Sequence, residues 1–499
     1  MLQRIEPGSL WQATVPKRAY PTLQGDEAAD VLIVGAGITG LTAAALLAKA
    51  GKQVIVIDRR KLGGGVTGST TAHITAVLDT RFHQIANDFG EEGAKLAAQS
   101  HLDAIEQIAG LVSDYGIACE FLRVPGYLYT ETDRDVDMLH RELDAMLRAG
   151  LPVSGIRDIG LPFPVKYAIE VGNQAMFHPL KYLHGLADAI SGQGVTIYEH
   201  TAIGEVKEED GRVEVKIDGG SVSAGALIYA THIPPGLKPV DTQVAPYRSY
   251  VIACKTERQY PVGLFWDTAR PYNYIRVYHD GTQTWLIGGG KDHKTGQESD
   301  TESPYQALDG FLRDHFQVRT IEYRWSAQVY EPVDGLGYIG VEPGTKSIYY
   351  ATGYAGNGMT YSNVAARLIS DLILDRPNPY ADLYSPSRFK PLASMADYVA
   401  ENVNAAVRLI GDRLAEDGEV YGEIANGEGK IMRVNGQQVA AYRDSNGVLN
   451  KLSPVCPHMK CIVHWNTAEK TWDCPCHGGR FTPTGEWIEG PPQHGLSRL

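Results

Sequence analysis

The first recognisable element of the chain is a continuous apolar run. Residues 31–34 read Val-Leu-Ile-Val, and a run without polar alternation predicts a strand that is buried on both faces. Glycines follow within 35–40, an apolar helical pattern covers 41–50, and a second apolar run at 54–57 predicts another buried strand. The order strand, glycine turn, helix, strand predicts a βαβ unit and therefore a parallel sheet.

The hydrophobic period changes several times along the rest of the chain. Apolar positions three and four apart predict helices, whereas short runs between turn residues predict strands. We therefore expect helices at 85–110, 133–149 and 359–374, and strands at 195–198, 213–217, 226–230, 348–353 and repeatedly within 246–290 and 318–341. Many tyrosines and tryptophans lie in the later strands, which predicts sheets with aromatic faces.

A cluster of prolines marks a boundary late in the chain. Pro377, Pro379, Pro386 and Pro391 fall within fifteen residues, and proline is a strong breaker of regular structure. An apolar stripe at helical spacing follows at 392–414 and predicts a linker helix that lies on the main body. Short strands and turns resume at about residue 420. The predicted organisation is a large α/β unit at 1–380, a linker helix at 381–420 and an all-β unit at 421–499.

Composition and charge narrow the class of protein. The chain has 499 residues, with 46 basic against 59 acidic side chains and a net charge of −13, which argues against a dedicated nucleic-acid binder. Residues 1–22 lack the apolar core of a signal peptide. The apolar stretch 31–48 is better explained by the glycine turn inside it than by a membrane span. We therefore expect a cytoplasmic protein without a membrane span.

The glycine motif after the first strand predicts a dinucleotide site. Gly35, Gly37 and Gly40 form the pattern Gly-x-Gly-x-x-Gly, in which the glycines allow a tight turn, the approach of a pyrophosphate to backbone N–H groups and close helix packing. Asp58 ends the second strand 23 residues after Gly35, where a carboxylate can accept hydrogen bonds from both ribose hydroxyls of an adenosine. Because that carboxylate would repel a 2′-phosphate, NADP is disfavoured despite the neighbouring Arg59, and FAD and NAD remain open.

A second glycine turn favours FAD over NAD. Residues 351–359 lead from a strand into a helix, but no acidic residue ends a following strand, so this turn is not a second dinucleotide site. A helix N-terminus at this position suits an anionic or electron-rich ring. The loop at 63–73 is rich in glycine and hydroxyl side chains, which suits contact along an extended cofactor.

Residues 1–380 resemble the D-amino-acid-oxidase-type flavoproteins, which include glycine, sarcosine and glutamylpolyamine oxidases and glycerol-3-phosphate dehydrogenases. The resemblance rests on the glycine motif, the loop 67–71 (TGSTT), His178-Pro179 before a helix, Ala230-Thr231 after a strand and the turn at 351–359. It implies FAD in a Rossmann-like domain with an inserted mixed-sheet substrate subdomain, and hydride removal from a carbon bonded to nitrogen or oxygen. The FAD-binding parts would be about 28–85, 170–235 and 330–380, and the substrate subdomain about 86–169 and 236–329.

The motif and the resemblance together predict the residues that bind FAD. They are Gly35, Gly37, Ile38, Thr39, Gly40, Asp58, Arg59, Thr67, Gly68, Ser69, Thr70, Thr71, Ile203, Ala230, Thr231, Gly353, Gly356, Gly358, Met359 and Thr360. By analogy Ile203 contacts the adenine end, and the backbone near Gly358 and Met359 faces the flavin O2 side. His73 falls in the loop where some relatives attach flavin covalently, but a loop histidine without that bond is the interpretation we favour.

Aromatic strands are expected to cover the flavin on the substrate side. Residues 271–276 and 322–325 are the candidates by this resemblance. Arg276 could hold a substrate carboxylate through two hydrogen bonds, and the alternative is an ordinary surface residue of a strand. Tyr274 and Tyr247 are further candidates for substrate contact, with core packing as the alternative. The lack of an obvious catalytic base decides nothing, because hydride transfer from a neutral amine to flavin needs none.

Four of the six cysteines lie close together near the end of the chain, which in a cytosolic protein usually indicates a bound metal. Cys456-x-His458 and Cys474-x-x-His477 are separated by fifteen residues, and each pair has a further cysteine beside it. Two thiolates and two neutral imidazoles can hold the two irons of a [2Fe–2S] cluster. Zinc is the alternative, although zinc sites usually pair their ligands as Cys-x-x-Cys.

Residues 421–499 resemble the Rieske [2Fe–2S] proteins, on the segments 453–456, 472–481 and 485–491. The resemblance implies that Cys456 and Cys474 bind one iron and that His458 and His477 bind the other. It also implies a disulfide between the two remaining cysteines of the cluster, Cys461 and Cys476, as in the respiratory and photosynthetic subgroup.

The chain departs from the high-potential Rieske proteins at two positions. Gly479 stands where they have serine, and Phe481 where they have tyrosine. Both missing hydroxyls would donate to cluster sulfurs and stabilise the reduced state. We therefore expect a reduction potential in the lower half of the range of about −150 to +300 mV.

A flavoprotein body with a Rieske tail matches a bacterial group of FAD-dependent oxidoreductases, and it predicts an enzyme. The leading hypothesis is oxidation of an amine or amino acid on FAD, with single electrons passing through the cluster to an external acceptor such as a ferredoxin, a cytochrome, a quinone or O₂. The alternatives are an O₂-using oxidase or a hydroxy-acid or polyol dehydrogenase with a structural cluster, and a pure electron-transfer module. The sequence indicates neither the substrate nor the oligomeric state.

Overall fold

The structure, a computed structural model, describes residues 6–16, 18–388, 391–414 and 424–499. Its helices are α1 (Leu10–Thr14), α2 (Ile38–Lys49), α3 (Phe82–Asp114), α4 (Val136–Arg148), α5 (Pro179–Ile190), α6 (Ser303–Phe316), α7 (Gly358–Ile373), α8 (Ala381–Tyr384) and α9 (Pro391–Leu414). In this described part of the chain, no helix combines the length and the apolar character that a membrane span requires.

The strands form two large sheets in the body and two small ones in the tail. In the body they are β1 (Glu6–Pro7), β2 (Gly25–Val34), β3 (Val54–Ile57), β4 (His73–Ile74), β5 (Leu122–Thr130), β6 (Val153–Ile156), β7 (Tyr167–Met176), β8 (Val195–Tyr198), β9 (Ile203–Glu209), β10 (Arg212–Ile217), β11 (Gly220–Tyr229), β12 (Val244–Lys255), β13 (Leu264–Asp267), β14 (Asn273–His279), β15 (Thr284–Lys294), β16 (Tyr323–Pro332), β17 (Tyr338–Val341) and β18 (Ile348–Thr352). In the tail they are β19 (Glu428–Val434), β20 (Gln437–Arg443), β21 (Leu449–Leu452), β22 (His464–Asn466), β23 (Thr471–Asp473), β24 (Arg480–Phe481) and β25 (Trp487–Glu489).

The smaller body sheet has eight strands and confirms the predicted βαβ unit. Its order is β17-β18-β11-β2-β3-β8, with β9 and β10 extending from β11 as an antiparallel hairpin. The central strands β18, β11, β2, β3 and β8 are parallel, and α2 and α7 pack together. Helix α2 begins at Ile38, before the predicted start, because Gly37 within the glycine motif is its N-cap. This sheet carries the first glycine turn and Asp58 at its carboxyl edge.

The larger body sheet has ten strands in the order β1-β16-β12-β15-β14-β13-β5-β7-β4, with β6 paired to β7. Helix α6 covers the apolar face of this sheet, where Leu308 and Leu312 are fully buried. Strand β7 belongs to it, so the chain changes from one sheet to the other after residue 176 rather than near 170. The two sheets face each other across the cavity described below.

Helix α9 connects the body to the tail and confirms the predicted linker helix. The body contacts it through Lys294 Nζ, 2.7 Å from Glu401 Oε2, and through Gln297 Nε2, 2.7 Å from Asn404 Oδ1. The tail follows as sheets β19-β20-β21 and β22-β23-β24-β25, packed around the fully buried Trp472. This arrangement confirms an α/β body followed by an all-β tail.

Candidate active site and cluster site

A cavity runs between the two body sheets. One end is lined by the glycine turn and Asp58 of the eight-stranded sheet, and the other by Tyr274 and Asp292 of the ten-stranded sheet. All but four of the predicted FAD-binding residues line this cavity. The four that do not are Gly40, Gly68, Gly353 and Thr360.

The end of the cavity near Asp58 fits an adenosine ribose. Asp58 Oδ2 accepts a hydrogen bond from Ala36 N at 2.8 Å, and Oδ1 accepts one from Arg60 N at 2.7 Å. Burial raises the pKa of this carboxyl, although the same two N–H groups oppose that rise. Each carboxylate oxygen retains a second lone pair for a ribose hydroxyl. A Cβ on Gly35 would lie 2.4 Å from Ala230 O, so only glycine fits this turn.

Two of the predicted residues that do not line the cavity contact the segments that do. A Cβ on Gly40 would lie 1.9 Å from Gly35 O, which shows that this glycine lets α2 pack against the turn. Thr360 Oγ1 donates to Thr75 O at 3.0 Å and lies 2.7 Å from His101 Nδ1. Gly40 and Thr360 therefore shape the segments that line the cavity and are not part of the lining themselves.

Arg276 lies in neither of the two positions that the sequence analysis considered for it. Its side chain is fully buried, and Nη1 donates to Thr71 O and Ala72 O at 2.8 Å each, while Nη2 donates to Phe177 O at 3.2 Å. Burial lowers its pKa to about 9. The guanidinium therefore holds the loop behind the cavity and lies outside the cavity wall. Both predictions for Arg276 are therefore corrected: it does not line the cavity where it could hold a substrate carboxylate, and it is not a surface residue.

Of the other two predicted substrate-side residues, only one lines the cavity. Tyr274 lines the cavity, and its hydroxyl lies 2.9 Å from Ser249 Oγ. Tyr247 does not line the cavity, and its ring faces Lys294 Nζ instead. His73 does line it, with Nδ1 3.1 Å from Thr71 Oγ1, and burial lowers its pKa to about 3, so the ring is neutral.

The predicted iron ligands lie together in the tail. Cys456 and Cys474 are free, buried and hydrogen-bonded to each other, and that bond lowers the pKa of Cys474 to about 7. The rings of His458 and His477 meet edge to face, with their centroids 5.0 Å apart. His477 Nδ1 is buried without a hydrogen-bond partner among the described residues, which fits a ring nitrogen that would bind iron. Two thiols and two imidazoles at one place fit a [2Fe–2S] cluster.

The remaining two cysteines of the tail form a disulfide. Cys461 and Cys476 are bonded, as the resemblance implied. The Sγ atoms of Cys461, Cys474 and Cys476 also lie close enough to hold a metal together. Because two of these three are joined in the disulfide, they offer no thiolates, and that trio is not a metal site.

The cluster loops rest directly on the flavoprotein body. His458 Nε2 lies 3.1 Å from Gly236 O and 3.2 Å from Asp241 Oδ2, which leaves Nδ1 for iron. Gln328, a residue of the cavity wall, donates from Nε2 to Gly478 O at 3.0 Å. Gly478 has φ +69°, and a Cβ there would lie 2.3 Å from Gln328 Nε2. The contact therefore requires glycine both for its backbone conformation and for its lack of a side chain.

A buried network of charges joins the tail to the body. Arg248 of β12 lies 2.6 Å from Glu489 and 3.0 Å from Glu469, both in the tail. Arg480 of the tail contacts the same two glutamates at 2.7 and 2.8 Å, and Asp473 at 2.8 Å. Burial alone would raise the pKa of Glu489, but the two guanidiniums lower it to about 2. Two cations and three carboxylates are thus shared across the interface.

The tail also closes the ribose end of the cavity. The guanidinium of Arg59 lies 4.1 Å from the ring centroid of Trp487 and donates from Nη2 to Gln493 O at 2.7 Å. Trp487 and Gln493 themselves line the cavity. The tail is therefore part of the cavity wall, which no motif in the sequence indicated.

Two family models match the chain. Residues 30–372 match the FAD dependent oxidoreductase family, and residues 420–499 match the Rieske [2Fe-2S] domain. The chain therefore belongs to the FAD dependent oxidoreductase family and carries a C-terminal Rieske domain. Its cofactors are FAD and a [2Fe–2S] cluster, and it is an oxidoreductase.

Individual relatives match over much of the chain. The protein YhfW of Bacillus subtilis (strain 168), whose name describes a Rieske 2Fe-2S iron-sulfur protein, is 34% identical over 99% of this chain and 97% of its own length. Gamma-glutamylputrescine oxidoreductase of Escherichia coli (strain K12) is 27% identical over 73% of this chain and 88% of its own. Among solved structures, glycine oxidase from Geobacillus kaustophilus shares the fold with a TM-score of 0.61, at 18% identity, covering 73% of this chain and 99% of that one.

Proposed function

We propose that the protein oxidises an amine or amino acid on FAD and passes the electrons singly through the Rieske cluster to an external acceptor. The observation that carries the proposal is Gln328, which lines the cavity and donates to Gly478 O beside a predicted iron ligand. When bound, FAD accepts a hydride from the substrate, and the cluster carries single electrons. The names of relatives that act on glycine and on gamma-glutamylputrescine support a C–N bond as the target.

A second contact between cavity and cluster loop supports the same route. His232 lines the cavity, and its ring lies 4.7 Å from that of Tyr330. Tyr330 is almost fully buried, and its hydroxyl donates to His477 O at 3.2 Å. Burial lowers the pKa of His232 to about 4, so this side chain is neutral at pH 7. A packed connection of two neutral, buried side chains therefore joins the cavity to the ligand loop.

The experiment is anaerobic stopped-flow mixing of the full-length protein with a panel of amines and amino acids. The flavin absorbance should fall first, and the electron paramagnetic resonance signal of the reduced cluster should rise afterwards without an added acceptor. A cluster that stays oxidised beside fully reduced flavin would contradict the proposed route.

A pair of tyrosine variants tests the connection itself. Tyr330→Phe removes only the hydroxyl, which donates to His477 O at 3.2 Å and accepts from Gln328 Nε2 at 2.8 Å, and it should slow the second phase while leaving the first unchanged. Tyr384→Phe is the matched control, because it removes a buried hydroxyl that lies 2.7 Å from Ser100 Oγ, away from the tail. The control should change neither phase.

A further inference from the structure

The cavity end on the ten-stranded sheet is lined by carboxylates. Asp79 Oδ2 accepts a hydrogen bond from Gly356 N at 2.6 Å, and Asp79 Oδ1 lies 3.4 Å from the Tyr272 hydroxyl, so this carboxylate holds the loop before α7. Asp292 also lines the cavity, but its Oδ1 is buried and has no hydrogen-bond partner in the described chain. A buried acceptor without a donor is costly, and a ligand that donates to it would remove that cost.

The groups packed around Asp292 come from several elements and add negative charge. Ser249 of β12 lies beside it with its hydroxyl 2.9 Å from that of Tyr274, Asp79 faces it from the loop after β4, and Glu331 of β16 lies near both carboxylates. Burial, with a smaller contribution from Asp79, raises the pKa of Asp292 to about 7. Burial and these two aspartates raise the pKa of Glu331 to about 8, although Lys294 opposes the rise. A cation bound among these groups would relieve their mutual repulsion.

The cavity wall offers no counter-charge for an anionic substrate at this end. Among the described lining residues, the cationic side chains are Arg59 and Arg60, which follow Asp58 at the ribose end. His73 is neutral, and Arg276 donates to backbone carbonyls outside the wall. A carboxylate bound here would meet two aspartates, whereas an ammonium group would meet an unpartnered acceptor.

We propose that Asp292 binds the ammonium group of an amine substrate that carries no carboxylate beside its reacting carbon. This inference rests on the proposed function, since it takes this cavity end as the substrate side of the FAD site. It selects amines over α-amino acids as the substrate class. Asp292 is a binding residue for the cation, while Asp79 positions the loop at Gly356.

The test is a binding titration of the FAD-loaded, full-length protein, in which the change in the absorption spectrum of the oxidised flavin is the readout. The probes are tert-butylammonium and pivalate, which carry the same tert-butyl group and opposite charges. The carbon bonded to nitrogen in tert-butylammonium carries no hydrogen, so no hydride can leave it and the titration reports binding alone. Wild-type protein should bind tert-butylammonium at least tenfold more tightly than pivalate.

The variant Asp292→Asn keeps the shape of the side chain and removes its charge. It should weaken tert-butylammonium binding at least tenfold while the flavin content stays unchanged, because Asp292 is remote from the ribose end. Glu214→Gln, which removes an exposed carboxylate from β10, is the control for net charge and should leave both affinities unchanged.

The outcomes separate this inference from the proposed function. Tighter binding of pivalate, no binding of tert-butylammonium, or equal cation affinity in wild type and Asp292→Asn would overturn the inference. Cation binding that depends on Asp292, with no flavin reduction by any amine in the panel, would support the inference and contradict the proposed function.

Discussion

Replacing Arg248 with methionine should undock the Rieske tail from the flavoprotein body. Arg248 belongs to the body, and the other four members of the buried charge network, Glu469, Glu489, Asp473 and Arg480, belong to the tail. Its side chain is only 2% exposed, so water does not compensate for the lost charge. Methionine keeps most of the length of the side chain and leaves three carboxylates facing a single guanidinium.

The loss of docking free energy in Arg248→Met can be estimated from the burial of the charge network. Removing one partner of a buried ion pair costs about 3–5 kcal/mol, since the remaining charges stay buried and unpaired. Because Arg248 and its partners lie on different domains, the cost falls on docking rather than on the folding of either domain. At about 1.4 kcal/mol per factor of ten, docking should weaken by roughly 100- to 4,000-fold.

Hydrogen exchange read by mass spectrometry checks the undocking at two backbone amides. Gly236 N donates to Pro491 O at 3.0 Å and Ala468 N donates to Thr301 Oγ1 at 3.0 Å, and both bonds cross the interface. Both amides should lose protection in Arg248→Met, and electron transfer from flavin to cluster should slow.

The matched control is Arg388→Met. Arg388, which follows α8, forms a similarly buried pair with Asp334 at 2.7 Å, but neither residue belongs to the tail. This variant should lower the melting temperature without exposing either reporter amide. Unchanged protection and an unchanged transfer rate in Arg248→Met would refute the reasoning.

Four further outcomes are expected. The purified protein should contain about one FAD and one [2Fe–2S] cluster per chain, and zinc without acid-labile sulfide would contradict the cluster. Asp58→Ala should release FAD on dilution while the Rieske absorption persists, because each lost charge-assisted hydrogen bond is worth about 1.5–3 kcal/mol. Wild-type affinity for tert-butylammonium should rise as the pH rises through about 7, where Asp292 loses its proton, and Asp292→Asn should lose most of that rise. Phe481→Tyr should raise the cluster potential by tens of millivolts, at about 59 mV per 1.4 kcal/mol, measured by voltammetry; a serine at Gly479 is less suitable, because its Cβ would lie 2.7 Å from Pro492 Cγ.

The sequence alone predicted those parts of the fold and the site that are contained in one short segment of the chain. The βαβ unit with Asp58 and the two Cys–His pairs are each contained in short segments, whose hydrophobic period or ligand spacing is specific. Helix α9 was predictable for the same reason, since its apolar stripe is continuous.

The rest of the site depends on contacts between distant segments. Arg248 and Glu469 are 221 residues apart, and Asp292 lies in a strand without any motif, so no local pattern marks either as functional. The family resemblance placed Arg276 in a strand expected to cover the flavin but gave no indication of which face of β14 is buried. The burial of that face is decided by the loop at 71–72, which packs there from another part of the chain.

The contact between His458 and the body gives the tail two unequal sides. The side chain of His458 is 3% exposed, with its Nε2 edge held by Gly236 and Asp241, whereas the next residue, Met459, is 41% exposed. No visiting protein can reach that imidazole edge while the tail is docked. If electrons enter the cluster from the flavin, they enter on a sealed side, and an external carrier must collect them from another side. The flavin and the carrier would then use different sides of the tail, so substitutions on its outer surface could change the carrier without disturbing the inner contact.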